Sequence, residues 1–176
     1  EGEVFFQKTY FANYKHNVIV LKYESSRPRS YTFEYLSKTD GKIEFAEDGS
    51  MVFTGSVPGG KGTDGAVRYC VCYSVRTDGK AEVIRHKTRV AEATFCEVYL
   101  TIQTNFVSPS EFSSSYREKA LSRLQAAREA GYESLYREHT AYFSEQYGRT
   151  AVEFDYPESG RPVNALIEDY PEDKNI

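Results

Sequence analysis

Gly55-Ser56-Val57-Pro58-Gly59-Gly60-Lys61-Gly62 is the stretch of this 176-residue sequence closest to a reactive motif. It follows the phosphate-cradling pattern G-x-x-x-x-G-K-[ST] until its final position, where Gly62 replaces the hydroxyl that holds magnesium. A helix should follow such a loop to aim its N-terminal amides at phosphate. The residues after it alternate like a strand, so the stretch reads as a hairpin loop, and a small enzyme built on Gly55–Gly65 is only a third option. His16, His86 and His139 form no i, i+4 pair and have no carboxylate at metal-ligand spacing. His139 falls on the apolar side of a helical pattern, which suits a core or interface histidine better than a general base. Cys70-x-Cys72 lacks the two-residue spacer of a redox pair and lies mid-strand. Glu168-Asp169 and Glu172-Asp173 read as a solvated acidic linker, and no serine occupies a G-x-S-x-G elbow. No position is therefore assigned as catalytic, cofactor-binding or metal-ligating, and no cofactor is expected.

Composition narrows the field further. The net charge of −4 comes from interspersed residues of both signs, leaving no basic face to neutralise a phosphate backbone, so nucleic acid is not an expected partner. Tyr 15 and Phe 11 against Trp 0 and Met 1 favour strands, because flat aromatic rings pack well on a pleated surface. The odd cysteine count, Cys70, Cys72 and Cys96, points to buried thiols in a reducing, cytoplasmic setting rather than to a disulfide framework. No apolar run approaches the ~20 residues needed to cross a bilayer, so no membrane association is expected. The chain starts at Glu1 and enters a strand by Val4, and its natural N-terminus is expected to lie upstream.

The elements that must position these residues come from hydrophobic period. Val67, Tyr69, Val71, Tyr73 and Val75 alternate with Arg68, Cys70, Cys72, Ser74 and Arg76, a long strand with one plainly apolar face. Similar runs are Val4–Phe11, Val18–Tyr23, Tyr31–Ser37, Lys42–Ala46, Ser50–Gly55, Ala81–Lys87 and Thr94–Thr104, the last aligning Cys96, Val98, Leu100 and Ile102. Asp40-Gly41, Asp48-Gly49, Asp64-Gly65 and Asp78-Gly79 are hairpin signals, because both residues tolerate positive φ, and together they imply an antiparallel meander. Strands at this spacing predict a mainly β chain, an antiparallel β-sandwich. After Ser108-Pro109-Ser110 the period changes. Ser115-Tyr116-Arg117-Glu118 has the form of a capping box, and Tyr116, Ala120, Leu121, Leu124 and Ala127 make a helical stripe ending at Gly131. A second stripe, Tyr132, Leu135, Tyr136, His139, Tyr142, Phe143 and Gln146, closes at Gly148. Thr150–Tyr156 alternates again. Tyrosines on outer strand faces could stack on sugar rings, although packing between sheets explains most of them.

Tyr10-Phe11-Ala12-Asn13-Tyr14 with Asn17-Val18-Ile19-Val20-Leu21 resembles the N-terminal β-domain of glycoside hydrolase family 95, the α-L-fucosidase and α-L-galactosidase family. Ala127, Gly131-Tyr132-Glu133-Ser134-Leu135, His139, Tyr142-Phe143, Tyr147 and Arg149–Glu153 look like that family's linker, and Thr104-Asn105-Phe106 falls where it often has Thr-Ser-Tyr. Lys8-Thr9 replaces the family's Arg-Glu, and Tyr142 replaces an aspartate. The resemblance implies part of a galactose-mutarotase-like supersandwich joined by a two-helix strut to an (α/α)6 catalytic barrel, the expected partner, which lies outside this chain. The catalytic carboxylates of an inverting glycosidase would lie in that barrel, so no residue here inherits a catalytic or binding role. The expected division is a β-sandwich over 1–107, a helical hairpin linker over 112–148, a returning strand over 149–156 and an extended tail over 157–176. The expected function is a non-catalytic β-domain that supports and orients the barrel of an α-L-fucosidase-like enzyme. The alternative is a carbohydrate-binding or adhesion module. Open strand edges and an uncovered apolar face on the helix pair are expected to invite self-association.

Overall fold

The computed structural model describes residues 4–59, 65–152 and 160–169. Seven strands, β1 (Phe6–Asn13), β2 (Val18–Glu34), β3 (Gly41–Phe45), β4 (Met51–Ser56), β5 (Arg68–Thr77), β6 (Lys80–Ile84) and β7 (Lys87–Thr104), form one antiparallel sheet. Its order is β1-β2-β7-β5-β4-β3, and β6 pairs with the first part of β7. Two short strands, β8 (Phe106–Ser108) and β9 (Glu111–Phe112), pair separately.

The chain is mainly β and antiparallel, as expected, but both layers of the sandwich come from this one sheet. Tyr73 pairs with Leu100 on β7, twelve residues along that strand from Thr88. A straight strand would separate those positions by ~40 Å. Yet the Tyr73 hydroxyl lies 3.2 Å from Thr88 Oγ1 and donates to the Phe33 carbonyl at 3.3 Å, so β2 and β7 double back over the sheet. The fold line is visible in three strands at one level. On β2, the register shifts on either side of Arg29, following Pro28, which has no N–H to give to a ladder. On β7, Glu92 adopts φ +55°. Between β5 and β6, Asp78 and Gly79 stand opposite the β7 bulge, where the Asp78 carboxylate accepts the Thr94 and Phe95 amides, each at 3.0 Å. A Cβ on Gly79 would come within 2.4 Å of the Ala91 carbonyl oxygen.

This geometry corrects the meander. Asp78-Gly79 is a bend between collinear strands, and Asp40-Gly41 lies in a crossing connection, because β2 and β3 are not neighbours. Among the described residues, Asp48-Gly49 alone of these pairs makes the expected tight hairpin, with Gly49 at φ +77°. The β6–β7 turn is instead Arg85-His86, with Arg85 at φ +56°, a turn that no glycine announces. Asp64 lies outside the described residues.

Alternation assigns the two faces. Met51, Phe53, Val71, Tyr73 and Val98 form the core between the sheet and its folded-over half, with Phe33, Tyr35 and Val75 against it. Cys70, Cys72, Val18, Val20, Val52, Phe11 and Tyr99 look the other way and pack against helix α1 (Tyr116–Tyr147). The β5 face carrying Cys70 and Cys72 is thus buried as well, so the strand has no solvent side at its centre.

Helix α1 is broken at Gly131, whose φ +73°, ψ +163° is a conformation essentially confined to glycine. The break lets both stripes reach the same sheet face. Ala120, Leu124 and Ala127 are buried before it, Tyr132 and Leu135 after it. The expected uncovered apolar face is therefore corrected: most of that stripe is covered by the chain's own sheet, leaving Tyr136, Tyr142 and Phe143 substantially exposed. Polar pins add to the seam. Thr101 donates to the Ala120 carbonyl at 3.1 Å, and Asn13 Nδ2 donates to the Leu135 carbonyl at 2.9 Å.

Residues Glu1–Phe143 form one compact unit and Ser144–Ile176 a second. In the second, an Arg149–Glu145 ion pair closes the last turn of α1, and Gly148 donates to the Ser144 carbonyl at 3.0 Å. Residues 149–152, expected to begin the returning strand, are not in a strand, and 153–156 lie outside the described residues. Within the stretch expected as an extended tail, Val163–Asp169 forms a short helix, α2. Among the described residues, no helix is long and apolar enough to cross a membrane, which says nothing of β-barrels.

Candidate functional site

A row of polar and ionisable residues runs across four strands on the helix-packed face. Antiparallel register sets Thr9 of β1 opposite Lys22 of β2, Lys22 opposite Glu97 of β7, and Glu97 opposite Arg76 of β5. Cross-strand neighbours on one face stand about 5 Å apart at Cβ, close enough for their charges to interact directly. Glu97 is 6% exposed, and its Oε2 accepts the Tyr99 hydroxyl at 2.7 Å and lies 3.6 Å from Arg76 Nη1. Lys22 Nζ sits 3.0 Å from Glu24 Oε1 and 4.2 Å from the centre of the Tyr132 ring. The row alternates in sign, so each buried charge has a neutralising neighbour, the condition under which burial is tolerable.

Two clefts flank the row. One of about 420 Å³ is lined by Lys22, Glu24, Phe95 and Glu97. The other, about 1170 Å³, lies between α1 and the sheet and is lined by Arg76, Tyr99, Ser122, Gln125 and the Arg128–Asp48 pair. Burial, reinforced by the Glu97 carboxylate, holds the Tyr99 phenol above its ordinary range. Burial alone would lower the Lys22 pKa, but the hydrogen bond and charge of Glu24, with Tyr132 and Glu97, carry it above the usual value. A protonated phenol and a firmly charged lysine are poor nucleophiles and poor bases near neutrality. Glu24 and Glu97 are each engaged by a cation of the row. This arrangement fixes strands and helix to one another.

The residues singled out in the sequence are spread over the molecule. His16 lies 3.4 Å from Glu138 Oε2, and His139 Nδ1 is 2.9 Å from the Ala12 carbonyl oxygen, with its ring against Phe11, so His16 ties the β1–β2 turn, and His139 strand β1, to α1. His86 is exposed in the β6–β7 turn. Cys70 and Cys72 are buried with Sγ atoms 3.4 Å apart, and the hydrogen bond they share, with burial, holds the Cys72 thiol far above its ordinary range. Gly55–Gly59 leads from β4 into β5, so a strand follows the glycine-rich loop, whose residues 60–64 lie outside the described set. Glu168 and Asp169 end α2, while Glu172 and Asp173 lie outside the described residues. Among the described residues, no three His, Cys, Asp or Glu side chains gather in a way that could hold a metal ion.

The sequence reading passed over Lys22, Glu97 and Arg76. Their signal was a charged residue inside an otherwise apolar run, Lys22 after Val18–Leu21 and Glu97 between Phe95 and Tyr99. Period alone puts each on a face, but it cannot say that the face will be covered.

The fold and this row define an antiparallel β-domain in which cross-strand charges and a lysine–tyrosine contact tie the sheet to its helix. The family model of the glycosyl hydrolase family 65 N-terminal domain matches residues 1–109, and the chain belongs to that family. It is thus a glycoside hydrolase N-terminal domain, reached here through family 65 where the motifs around Tyr10 and Gly131 resemble family 95. No curated protein matches the chain.

Proposed function

We propose that this chain is the non-catalytic β-domain and linker of an α-L-fucosidase-like glycoside hydrolase of the family-95 type, supporting an (α/α)6 catalytic barrel in the parent protein. The observation that carries the reading is where the family match stops. It covers the whole folded-over sheet, ends at residue 109 and leaves out α1, so a family β-domain is followed by a helical element outside the match. The resemblance of Gly131-Tyr132-Glu133-Ser134-Leu135 to a family-95 linker supports the assignment of that element, and the ion-paired row supports a structural role for the sheet. The divisions 1–107, 112–148, 149–156 and 157–176 belong to this proposal.

In the test, the downstream barrel region is expressed alone and together with this chain. Soluble, active hydrolase on aryl α-L-fucoside is expected only when both are present. Turnover of that substrate by the purified chain alone would refute the reading.

A second reading, a glycan-binding module, is supported by the exposed Tyr14 and Tyr142 rings, which stack on one another with centroids 4.9 Å apart and an interplanar angle of 7°. Binding on a glycan array that disappears in Tyr14→Ala and Tyr142→Ala would favour it over the supporting role.

A further inference from the structure

Strand β3 is the last strand on its side of the sheet, and its five residues, Gly41-Lys42-Ile43-Glu44-Phe45, place one cation and one anion symmetrically about Ile43. We infer that this edge pairs with the β3 edge of a second copy, antiparallel and centred on Ile43, so that the sheet continues across a two-fold axis.

The backbone points the right way. The Ala46 amide donates to the Ser50 carbonyl at 2.9 Å, so Ala46 directs its polar groups toward β4. In an antiparallel ladder that direction alternates along the strand, and the β3–β4 register is regular from Gly41↔Gly55 to Phe45↔Met51. Gly41, Ile43 and Phe45 therefore turn their N–H and C=O groups outward. Centred on Ile43, a second copy sets Ile43 opposite its own counterpart and Gly41 opposite Phe45, which pairs all of those outward groups. Such a row of outward donors and acceptors is a template for another strand.

The side chains select the register. Lys42 and Glu44 share one face and are already 2.6 Å apart at Nζ and Oε1. In the centred pairing each Lys42 stands opposite the Glu44 of the other copy, twice by symmetry. A shift of two residues in either direction destroys both contacts. On the opposite face, Ile43 and Phe45 pack against the core formed with Met51, Phe53 and Tyr73, so Ile43 meeting its counterpart extends an existing apolar layer. Edge charges ordinarily discourage pairing. Here their signs alternate about the centre, so they repel other registers and match this one. A two-fold contact requires such self-complementarity.

The test is a concentration series of the full chain by sedimentation velocity, with amide hydrogen exchange alongside. A monomer–dimer equilibrium is expected, with concentration-dependent protection of the Ile43 and Phe45 amides. Lys42→Glu sets like charges opposite one another and should weaken association on the order of tenfold. Glu44→Lys should do the same. An equimolar mixture of the two variants should associate again, because one then carries carboxylates at both positions and the other carries ammonium groups at both. Circular dichroism confirms that each variant is folded. A chain that stays monomeric at every concentration overturns the inference. So does an association that ignores both reversals, or one that protects the β1 edge amides in place of those of β3.

Discussion

At the residue scale, Asp78 carries more of the fold than its exposed position suggests. It accepts the Thr94 and Phe95 amides and the Thr94 hydroxyl at the bulge where the sheet turns over. Asp78→Ala leaves two amides without their acceptor and should destabilise the chain by ~1–2 kcal/mol, comparable to loss of a helix cap, read from urea midpoints. An unchanged midpoint would show that water replaces the carboxylate at no loss. Burial alone would raise the Asp78 and Asp48 pKa values, yet hydrogen bonds from Thr94 and Phe95, and from Ser50 and Arg128, hold both below the ordinary value of 3.8. Glu138 is lowered below 4.5, chiefly by its hydrogen bond from Lys15. These groups bind protons less readily folded than unfolded. Their contribution is complete above the unfolded values and is lost as pH falls through the folded ones. The urea midpoint should therefore be steady from pH 7 down to about 5 and drop between about pH 4 and 2, less steeply in Asp78→Asn. A midpoint that rises on acidification would contradict the sign.

At the element scale the break in α1 is decisive. Nothing lies within 4 Å of a Cβ placed on Gly131, so the objection to a side chain there is conformational. Gly131→Ala should destabilise by ~1–3 kcal/mol, the penalty of a backbone region that only glycine enters freely. If the helix simply straightens, one of its two stripes must leave the sheet, and amide exchange after residue 131 should rise. Leu124 and Leu135, on either side of the break, are both buried against the sheet. Truncating either to alanine should cost ~2–5 kcal/mol, similarly for both if the two segments pack as one layer. A negligible effect of Leu135→Ala would mean that the second segment is only loosely attached.

On the scale of the whole molecule, a sheet that folds over itself and accepts a helix on its outer face leaves edge strands, β1, β3 and β6, as places where further structure can join. That suits the supporting role proposed for the chain. The purified chain should show no turnover of aryl glycosides, and Glu97→Gln should lower stability without touching any activity that the assembled enzyme has. Loss of parent activity in a stable, folded Glu97→Gln variant would assign the charged row a functional rather than a supporting role.

Much of this was legible in the linear order of residues. Alternation in Tyr69–Val75 and Thr94–Thr104 determined strands, the stripe Ala120, Leu124, Ala127 determined a helix, and Gly131 its break, because period and the freedom of glycine are local properties. Local signals could not distinguish the hairpin at Asp48-Gly49 from the bend at Asp78-Gly79, since the same dipeptide serves both and only the strand alongside decides. The cysteine count did point to buried thiols at Cys70 and Cys72, but not to helix α1 as the element that covers them. Burial of a face and the meeting of Thr9, Lys22, Glu97 and Arg76 depend on register between strands far apart in the chain. The tertiary structure alone decided those, because a charge in a strand acquires its partners only when other strands are laid beside it.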